Sequence, residues 1–438
     1  MISFMPFRAV RPATEYAEKV AALPYDVMTS EEARIMAGEK PLSFLHVDRA
    51  EINFPSGTDP YSPEVYAKAK EYMEKMVSEG VFLQEKRPRF FLYRLTMNGR
   101  SQTGIVGCAS IDDYENGLIK KHEFTRADKE EDRVRHVDAL DANTGPIFLA
   151  CRKNARLAEL LGAGGTPKAA SSHSRLASRC AASPTIRKTT DAAAAYDFTC
   201  EDGVRHEVWV LDEDMNESVQ GVFAGMEALY IADGHHRCAS AVRVGKLRRE
   251  QNPGWTGDEE FNFFLAVVFP EDQLEIMDYN RAVKDLNGLS EEAFLSKLGE
   301  FFEVAAYDGE GPVRPDLRHT FGMYLSGSWY VLRAKSGVVV ENDPVKRLDV
   351  SVLQNYVLEP LLGILDPRTD KRIDFIGGIR GLEELERRVK ADMKVAFALY
   401  PTAMQELFDI ADAGLVMPPK STWFEPKLRS GLFVHRLG

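Results

Sequence analysis

The sequence predicts an α+β fold, and three observations carry that expectation. Apolar residues recur at helical spacing over Ser62–Glu79, and strand-like segments rich in aromatic and β-branched residues follow at Arg89–Leu95 and Gly104–Ser110. Further on, the apolar run Leu229–Ala232 leads through a polar cluster into a helix of small and aliphatic residues, Cys238–Gly245.

Taken in order, the chain divides into three parts. Residues 1–118 form an N-terminal α+β region. Its helix puts Val65, Ala69, Tyr72, Met73 and Met76 on one face, and Pro63 suits the first turn, where its missing N–H costs nothing. Residues 119–246 hold the motifs that carry chemistry, with a basic insertion near 151–190. Residues 247–438 form a C-terminal α+β region. Its expected elements are a strand at Phe261–Phe269, a helix at Ser290–Phe302 with Ser290 as N-cap and two glutamates in the first turn, strands at His319–Leu325 and Ser328–Arg333, a helix at Leu348–Leu362 and a charged helix at Leu382–Lys390. Neither an internal repeat nor a heptad array is present.

Composition narrows the function classes. A net charge of −12 argues against nucleic acid as a partner, because backbone-binding domains are usually basic. The local exception is Cys151–Thr190, with eight Lys/Arg and one acidic residue. Its stretch Gly162–Ser183 has no apolar period and reads as an exposed, flexible loop. The five cysteines show no CxxC pair, so free thiols are expected rather than disulfides or a zinc knuckle. With no apolar run of membrane length and no signal-peptide pattern at Met1–Arg8, the expected location is the cytoplasm, without a membrane partner.

The segment Asp233-Gly234-His235-His236-Arg237 falls where a strand ends and a helix begins. Backbone N–H groups and the positive end of the helix dipole converge there, which suits phosphate. Gly234 lets the backbone approach closely, Arg237 offers a forked permanent cation, and the histidines can donate hydrogen bonds or shuttle protons. An Asp-Gly pair also marks ordinary turns, and Asp233 could be a simple N-cap. That account leaves His-His-Arg unexplained, since cations in a first turn oppose the dipole unless an anion offsets them. A two-histidine metal site fits less well, because adjacent helical residues point apart.

A second motif lies upstream. His122-Glu123-Phe-Thr125-Arg126 leads into a stretch with Arg133, Val134, His136, Val137 and Leu140, followed by Asn143-Thr-Gly-Pro-Ile147. Together with Asp233–Arg237, this order resembles the ParB/sulfiredoxin superfamily, in which a His-Glu dipeptide, a helix, Gly-Pro-Ile opening a strand, and Asp-Gly-His-His-Arg before an Ala-rich helix recur. Over nearly its whole length the chain also resembles a ParB-related, chromosome-partitioning-like family of bacterial and archaeal proteins. The marks are Leu23-Pro-Tyr25-Asp26-Val27, Leu45-His46-Val47-Asp48, Tyr279-Asn-Arg281 and Pro419-Lys420-Ser421-Thr-Trp423-Phe424. The departure from compact members is the long insertion from about Cys151 to Met226. The fold implied is a ParB/sulfiredoxin-like mixed α/β core with N- and C-terminal α+β extensions.

The same superfamily includes free serine kinases, and the resemblance implies their chemistry: a phosphotransferase that acts on a small hydroxyl compound, with L-serine to O-phosphoserine as the leading case. Glu123 would then be the base, with Asp233 and His236 as further catalytic candidates, and Gly234, His235, His236 and Arg237 would cradle the donor phosphate. The donor implied is pyrophosphate, or ADP/ATP, with Mg2+ as cofactor and Asp233 as its ligand. His122, Thr125, Lys420 and Ser421 are weaker candidates for the substrate, as are the Tyr25-Asp26 and His46–Asp48 groups. One rival is a ParB-like nucleotide-switch protein that binds DNA; it lacks an evident helix-turn-helix and basic face. Another is sulfiredoxin-like chemistry at Cys238, which follows the loop instead of lying inside it.

Overall fold

The computed structural model describes residues 1–161 and 193–438. The stretch 162–192, which includes most of the basic segment, the loop expected at Gly162–Ser183 and Cys180, lies outside the described residues. The architecture is mixed α+β, with 13 α-helices and one large mixed sheet among the described residues. These residues pack as two units: residues 1–120, 125–274 and 426–438 in the first, and residues 121–124 and 275–425 in the second. The division at 118 and 246 is a proposal about segments along the chain, whereas these units describe packing.

The first unit is built on a nine-stranded sheet. Its strands are β1 (Phe4–Met5), β2 (Phe91–Met97), β3 (Arg100–Ser110), β4 (Ile119–Lys120), β5 (Ile147–Cys151), β6 (Tyr196–Thr199), β7 (Arg205–Val210), β8 (Leu229–Asp233) and β9 (Phe263–Pro270). The order is β4-β8-β5-β9-β3-β2-β7-β6, with β1 beside β3. Two pairs, β8 with β4 and β9 with β5, are parallel, and the others are antiparallel. Phe4, Ile105, Leu149, Ile231, Cys238 and Phe264 meet in the core below this sheet. Burying each such side chain supplies about 1.5–3 kcal/mol, which is why these positions are apolar.

Three helices of this unit pack in series, α1 (Pro63–Ser78) on α2 (Ala127–Leu140) and α2 on α3 (His235–Gln251), the last of which begins within the Asp233–Arg237 segment. The first matches the periodicity of the sequence, with Pro63 at N1 and Val65, Ala69, Met73 and Met76 buried. The third corrects an expectation, for Gly245 does not stop it. The helix continues to Gln251, and Gly245 is buried in its middle. A Cβ there would lie 2.4 Å from the Phe261 carbonyl oxygen and 2.8 Å from Ile111 Cδ1. Close packing, not termination, requires the glycine.

The second unit carries a six-stranded antiparallel sheet of β10 (Tyr279–Val283), β11 (Phe302–Ala306), β12 (Thr320–Leu325), β13 (Ser328–Ala334), β14 (Ile373–Gly377) and β15 (Val395–Ala398), in the order β11-β13-β12-β15-β10-β14. Helix α4 (Glu291–Phe301) starts as its sequence indicates, with Ser290 Oγ accepting from Ala293 N at 3.2 Å. The helix expected over Leu348–Leu362 is shorter. It is α-helical over Asp349–Leu353 and then widens into a π turn, in which Glu359 N bonds Gln354 O at 3.0 Å. The charged helix is found at Glu383–Ala391. Cys108, Cys151 and Cys200 are free thiols, as composition led us to expect. Among the described residues, no helix is long and apolar enough to cross a membrane.

Candidate functional site

Strand β8 delivers Asp233 to the start of α3 through a register shift. Ile231 pairs with Leu149, but Asp233 pairs with the next residue along, Phe148, so Ala232 is the extra residue of a bulge. A bulge bends the strand and re-aims the side chain that follows. Gly234 then takes φ +94°, a left-handed conformation that favours glycine. Its missing Cβ matters a second time: a methyl there would lie 3.0 Å from both Cζ and Nε of Arg237. The guanidinium is thus folded back under the turn that begins the helix.

At α3 the first intrahelical bond runs from Cys238 N to Gly234 O, at 2.9 Å. The N–H groups of a helix's first turn have no intrahelical acceptors, and Gly234 has no side chain to cap them. Asp233 does not serve as that cap. Its carboxylate accepts from Lys427 Nζ at 3.0 Å and lies 3.8 Å from Arg237 Nη2. Burial opposes ionisation of Asp233, but the two cations outweigh it and hold the carboxyl well below the usual carboxylate range.

Arg237 is nine-tenths buried in its side chain. Nη1 donates to the Pro146 carbonyl, so the Gly-Pro-Ile motif and the Asp-Gly-His-His-Arg motif meet at this residue. Asp26 and Asp233 stand 3.9 Å and 3.8 Å away, too far for hydrogen bonds, and Nε has no hydrogen-bond partner among the described residues. Burial works against its charge, and Asp26, Asp233, Tyr25 and Asp48 more than restore it. A buried guanidinium with a donor to spare, beside an uncapped helix start, is a place for an anion.

His236 has one face fixed. The Arg126 N–H donates to its Nε2 at 3.0 Å, so Nε2 is an acceptor and the ring proton sits on Nδ1. Burial pushes the imidazolium down, against a smaller upward pull from Asp26, so the ring is neutral and offers a donor at Nδ1. Thr125 is close in sequence, but its hydroxyl donates to Glu130 at 2.9 Å.

The Tyr25-Asp26 and His46–Asp48 marks differ in their surroundings. Tyr25 and Asp48 line a small hollow that also takes in Arg133, His136, Thr144, Gly145 and Arg237. Arg133 stacks on the Tyr25 ring at 4.0 Å, and Thr144 donates to Asp48 at 2.7 Å. His46 instead bonds Asn53 at 2.7 Å and stacks on Tyr72, which is a structural role. Lys427 escaped the sequence reading, and Arg133 entered it only as a mark of the second motif. Lys427 lies 194 residues beyond Asp233 and belongs to no local pattern.

His122, Glu123, Lys420 and Ser421 belong to the second unit. There the His122 carbonyl accepts from Met417 N at 2.8 Å, and His122 Nε2 lies 3.4 Å from Thr422 Oγ1. This brings the His-Glu dipeptide to the Pro419–Phe424 segment, 300 residues later in the chain. Ser421 is buried and spends its hydroxyl on the Pro418 carbonyl at 2.6 Å. Lys420 takes φ +59°, its Nζ 5.7 Å from the Tyr279 ring centre, and its carbonyl accepts from Arg281 Nη2 at 2.9 Å. Glu123 is half-buried.

The residues do not fit a resident magnesium site. Among the described residues no three His, Cys, Asp or Glu side chains converge to hold a metal, and the Asp233 carboxylate is engaged by Lys427. Magnesium bound by protein alone needs more oxygen ligands than Asp233 supplies.

Several solved structures bear a distant likeness to the chain. A free serine kinase mutant in complex with AMP gives a TM-score of 0.35 at 14% identity, covering 75% of this chain and 92% of its own. A conserved hypothetical protein from Pyrococcus furiosus gives 0.33 at 13% identity, covering 75% and 94%. SbnI with C-terminal truncation, from Staphylococcus aureus, gives 0.35 at 11% identity, covering 75% and 86%. No curated protein matches the chain. Residues 4–351, which include Glu123 and the whole Asp233–Arg237 loop, match the family described as "Protein of unknown function (DUF1015)", and the chain therefore belongs to the DUF1015 family.

Proposed function

We propose that the protein is a small-molecule kinase of ParB/sulfiredoxin-like ancestry that transfers a phosphoryl group to a free hydroxyl, with L-serine as acceptor and O-phosphoserine as product. The observation that carries the reading is Arg237: a buried guanidinium with an unfilled donor, folded beneath an uncapped helix start. Phosphoryl transfer leaves little covalent chemistry to the protein, and its rate comes from positioning and charge neutralisation. Arg237, the first-turn N–H groups of α3 and the Nδ1–H of His236 supply neutralisation for the donor phosphate. Lys427 offsets the charge of Asp233, which would otherwise repel that phosphate. Asp233 thus acts in this reading as an anchor for two cations and not as a metal ligand.

The acceptor hydroxyl needs a base, because an alcohol is a weak nucleophile at neutral pH. Glu123 takes that role: its carboxylate accepts the proton as the new O–P bond forms and the donor's bridging P–O bond breaks. The donor we favour is pyrophosphate, with phosphate as the leaving group, and ADP or ATP come next. Support comes from the joint presence of the His-Glu and Asp-Gly-His-His-Arg motifs and from the geometry around Arg237.

The test is to incubate the purified chain with L-serine and pyrophosphate, ADP or ATP in turn, with and without Mg2+, and to assay O-phosphoserine. The reading fails if no donor yields product. Glu123→Gln is expected to lower the rate by about 10²–10⁴-fold, the usual worth of a general base. A fully active variant would remove Glu123 from the mechanism.

A further inference from the structure

A second cavity of about 340 Å³, lined in part by Tyr25, opens in the first unit. It shares Tyr25, Asp48, Arg133 and His136 with the small hollow that reaches Arg237. Its volume falls at the lower end of the range of about 300–1,000 Å³ typical of small-molecule sites. Its charge is unusual. Arg49, Lys129 and Arg133 supply three positive groups, and Asp48, Glu51 and Asp132 supply three negative ones.

These groups are held in place. Arg49 Nη2 contacts Glu51 at 3.0 Å and donates to Ser30 at 2.8 Å, while Ser30 donates to Glu51 at 2.8 Å. Arg133 pairs with Asp132 at 2.8 Å, and the Tyr66 hydroxyl donates to Asp132 at 2.9 Å. Lys129 donates to the Tyr61 hydroxyl at 2.9 Å. The wall is therefore preorganised. One donor is left over: Arg49 Nε is buried with no hydrogen-bond partner among the described residues.

A ligand must match this pattern. A free phosphate or other simple anion would meet three carboxylates, and an apolar molecule would strip water from charges without replacing it. A molecule with both a carboxylate and an ammonium satisfies both poles at no net charge, through charge-assisted hydrogen bonds. We propose that this cavity binds a small zwitterion, a free α-amino acid, with its carboxylate on the Arg49 side and its ammonium facing the carboxylates of Asp48 and Glu51. The binding claim stands on the cavity alone. Its role as the acceptor site rests on the phosphotransfer reading.

Calorimetry on the full chain tests the binding, with L-serine as probe and ethanolamine and lactate as analogues lacking the carboxylate or the ammonium. L-serine is expected to bind, and each analogue to bind at least tenfold more weakly. Arg49→Gln and Glu51→Gln should each weaken serine at least tenfold and leave pyrophosphate binding at the Arg237 loop unchanged. Lys129→Met, a half-buried position on α2, serves as a further cavity variant should the first two fail to fold, and should weaken serine several-fold. Serine affinity unchanged in the folded variants, no serine binding at all, or analogues that match serine would overturn the proposal. Serine binding without phosphoserine from any donor would instead sink the kinase reading and leave this site standing. Phosphoserine formation with an unaltered KM for serine in all cavity variants would do the reverse.

Discussion

Replacing Lys427 by Met tests the electrostatic account of the loop directly. The thioether keeps the length of the stem and removes the charge. In the native chain Lys427 Nζ donates to Asp233 at 3.0 Å, with side-chain exposures of 11% and 26%. Deleting one partner of a fully buried ion pair costs about 3–5 kcal/mol, and a single charge-assisted hydrogen bond contributes about 1.5–3 kcal/mol. Asp233 keeps some solvent contact, and Arg237 remains 3.8 Å away, so a loss of about 1–3 kcal/mol at pH 7 is expected. The pH dependence has a definite sign. Native Asp233 is held below its unfolded value, so its contribution is present above about pH 4 and is lost only as pH falls through the folded value. Without Lys427, burial dominates and the carboxyl titrates higher. The variant then takes up a proton on acidification, and the stability gap narrows as pH falls from 7 toward 4. Urea unfolding of both chains across that range measures the gap. Equal stability at pH 7, or a gap that widens in acid, would refute the reasoning.

Other substitutions probe the same framework. Gly234→Ala must adopt φ +94° and push its methyl against Arg237, so a loss of about 1–3 kcal/mol is expected together with weaker pyrophosphate binding by calorimetry; unchanged affinity would show that Arg237 does not depend on this turn. Gly245→Ala pits a helix-propensity gain of about 1 kcal/mol against overpacking of about 1–3 kcal/mol, because the new methyl would lie 2.4 Å from a carbonyl oxygen; net destabilisation in urea is expected, and a more stable variant would contradict the packing. His206 is buried, with Arg429 donating to its Nε2, and burial followed by Arg429 pushes it down to about 3. The unfolded imidazole titrates near 6.5, so stability is full above that pH and declines as pH drops toward 3; His206→Gln should flatten that slope in urea titrations, and an unaltered slope would assign it elsewhere.

What the sequence made legible tracks the range of each interaction. The Asp233–Arg237 cluster was readable because strand end, glycine and helix start are consecutive, and helix α1 was readable from its period. Gly245 misled, since a glycine that ends a helix and one that admits a neighbouring carbonyl look alike in one dimension. The widening at Gln354–Leu358 left no local signal. The unwritten part of the loop site was its counter-charge: nothing near Asp233 announces Lys427, and nothing near His122 announces Met417 and Thr422. Such pairs are chosen by the fold and only then by the residues.

The route of the chain has a consequence for its synthesis. Residues 426–438 return to the first unit after the whole stretch 275–425 has been laid into the second. A nascent chain that has already paired β8 with its neighbours and wound α3 still lacks Lys427. Asp233 therefore waits, without its lysine, while the 176 residues from Asn252 to Lys427 leave the ribosome, about nine seconds or more at translation rates of about 5–20 residues per second. On the proposed reading, the loop gains its counter-charge only once Lys427 has emerged, so a product terminated before residue 427 would carry the Asp233–Arg237 motif without its lysine.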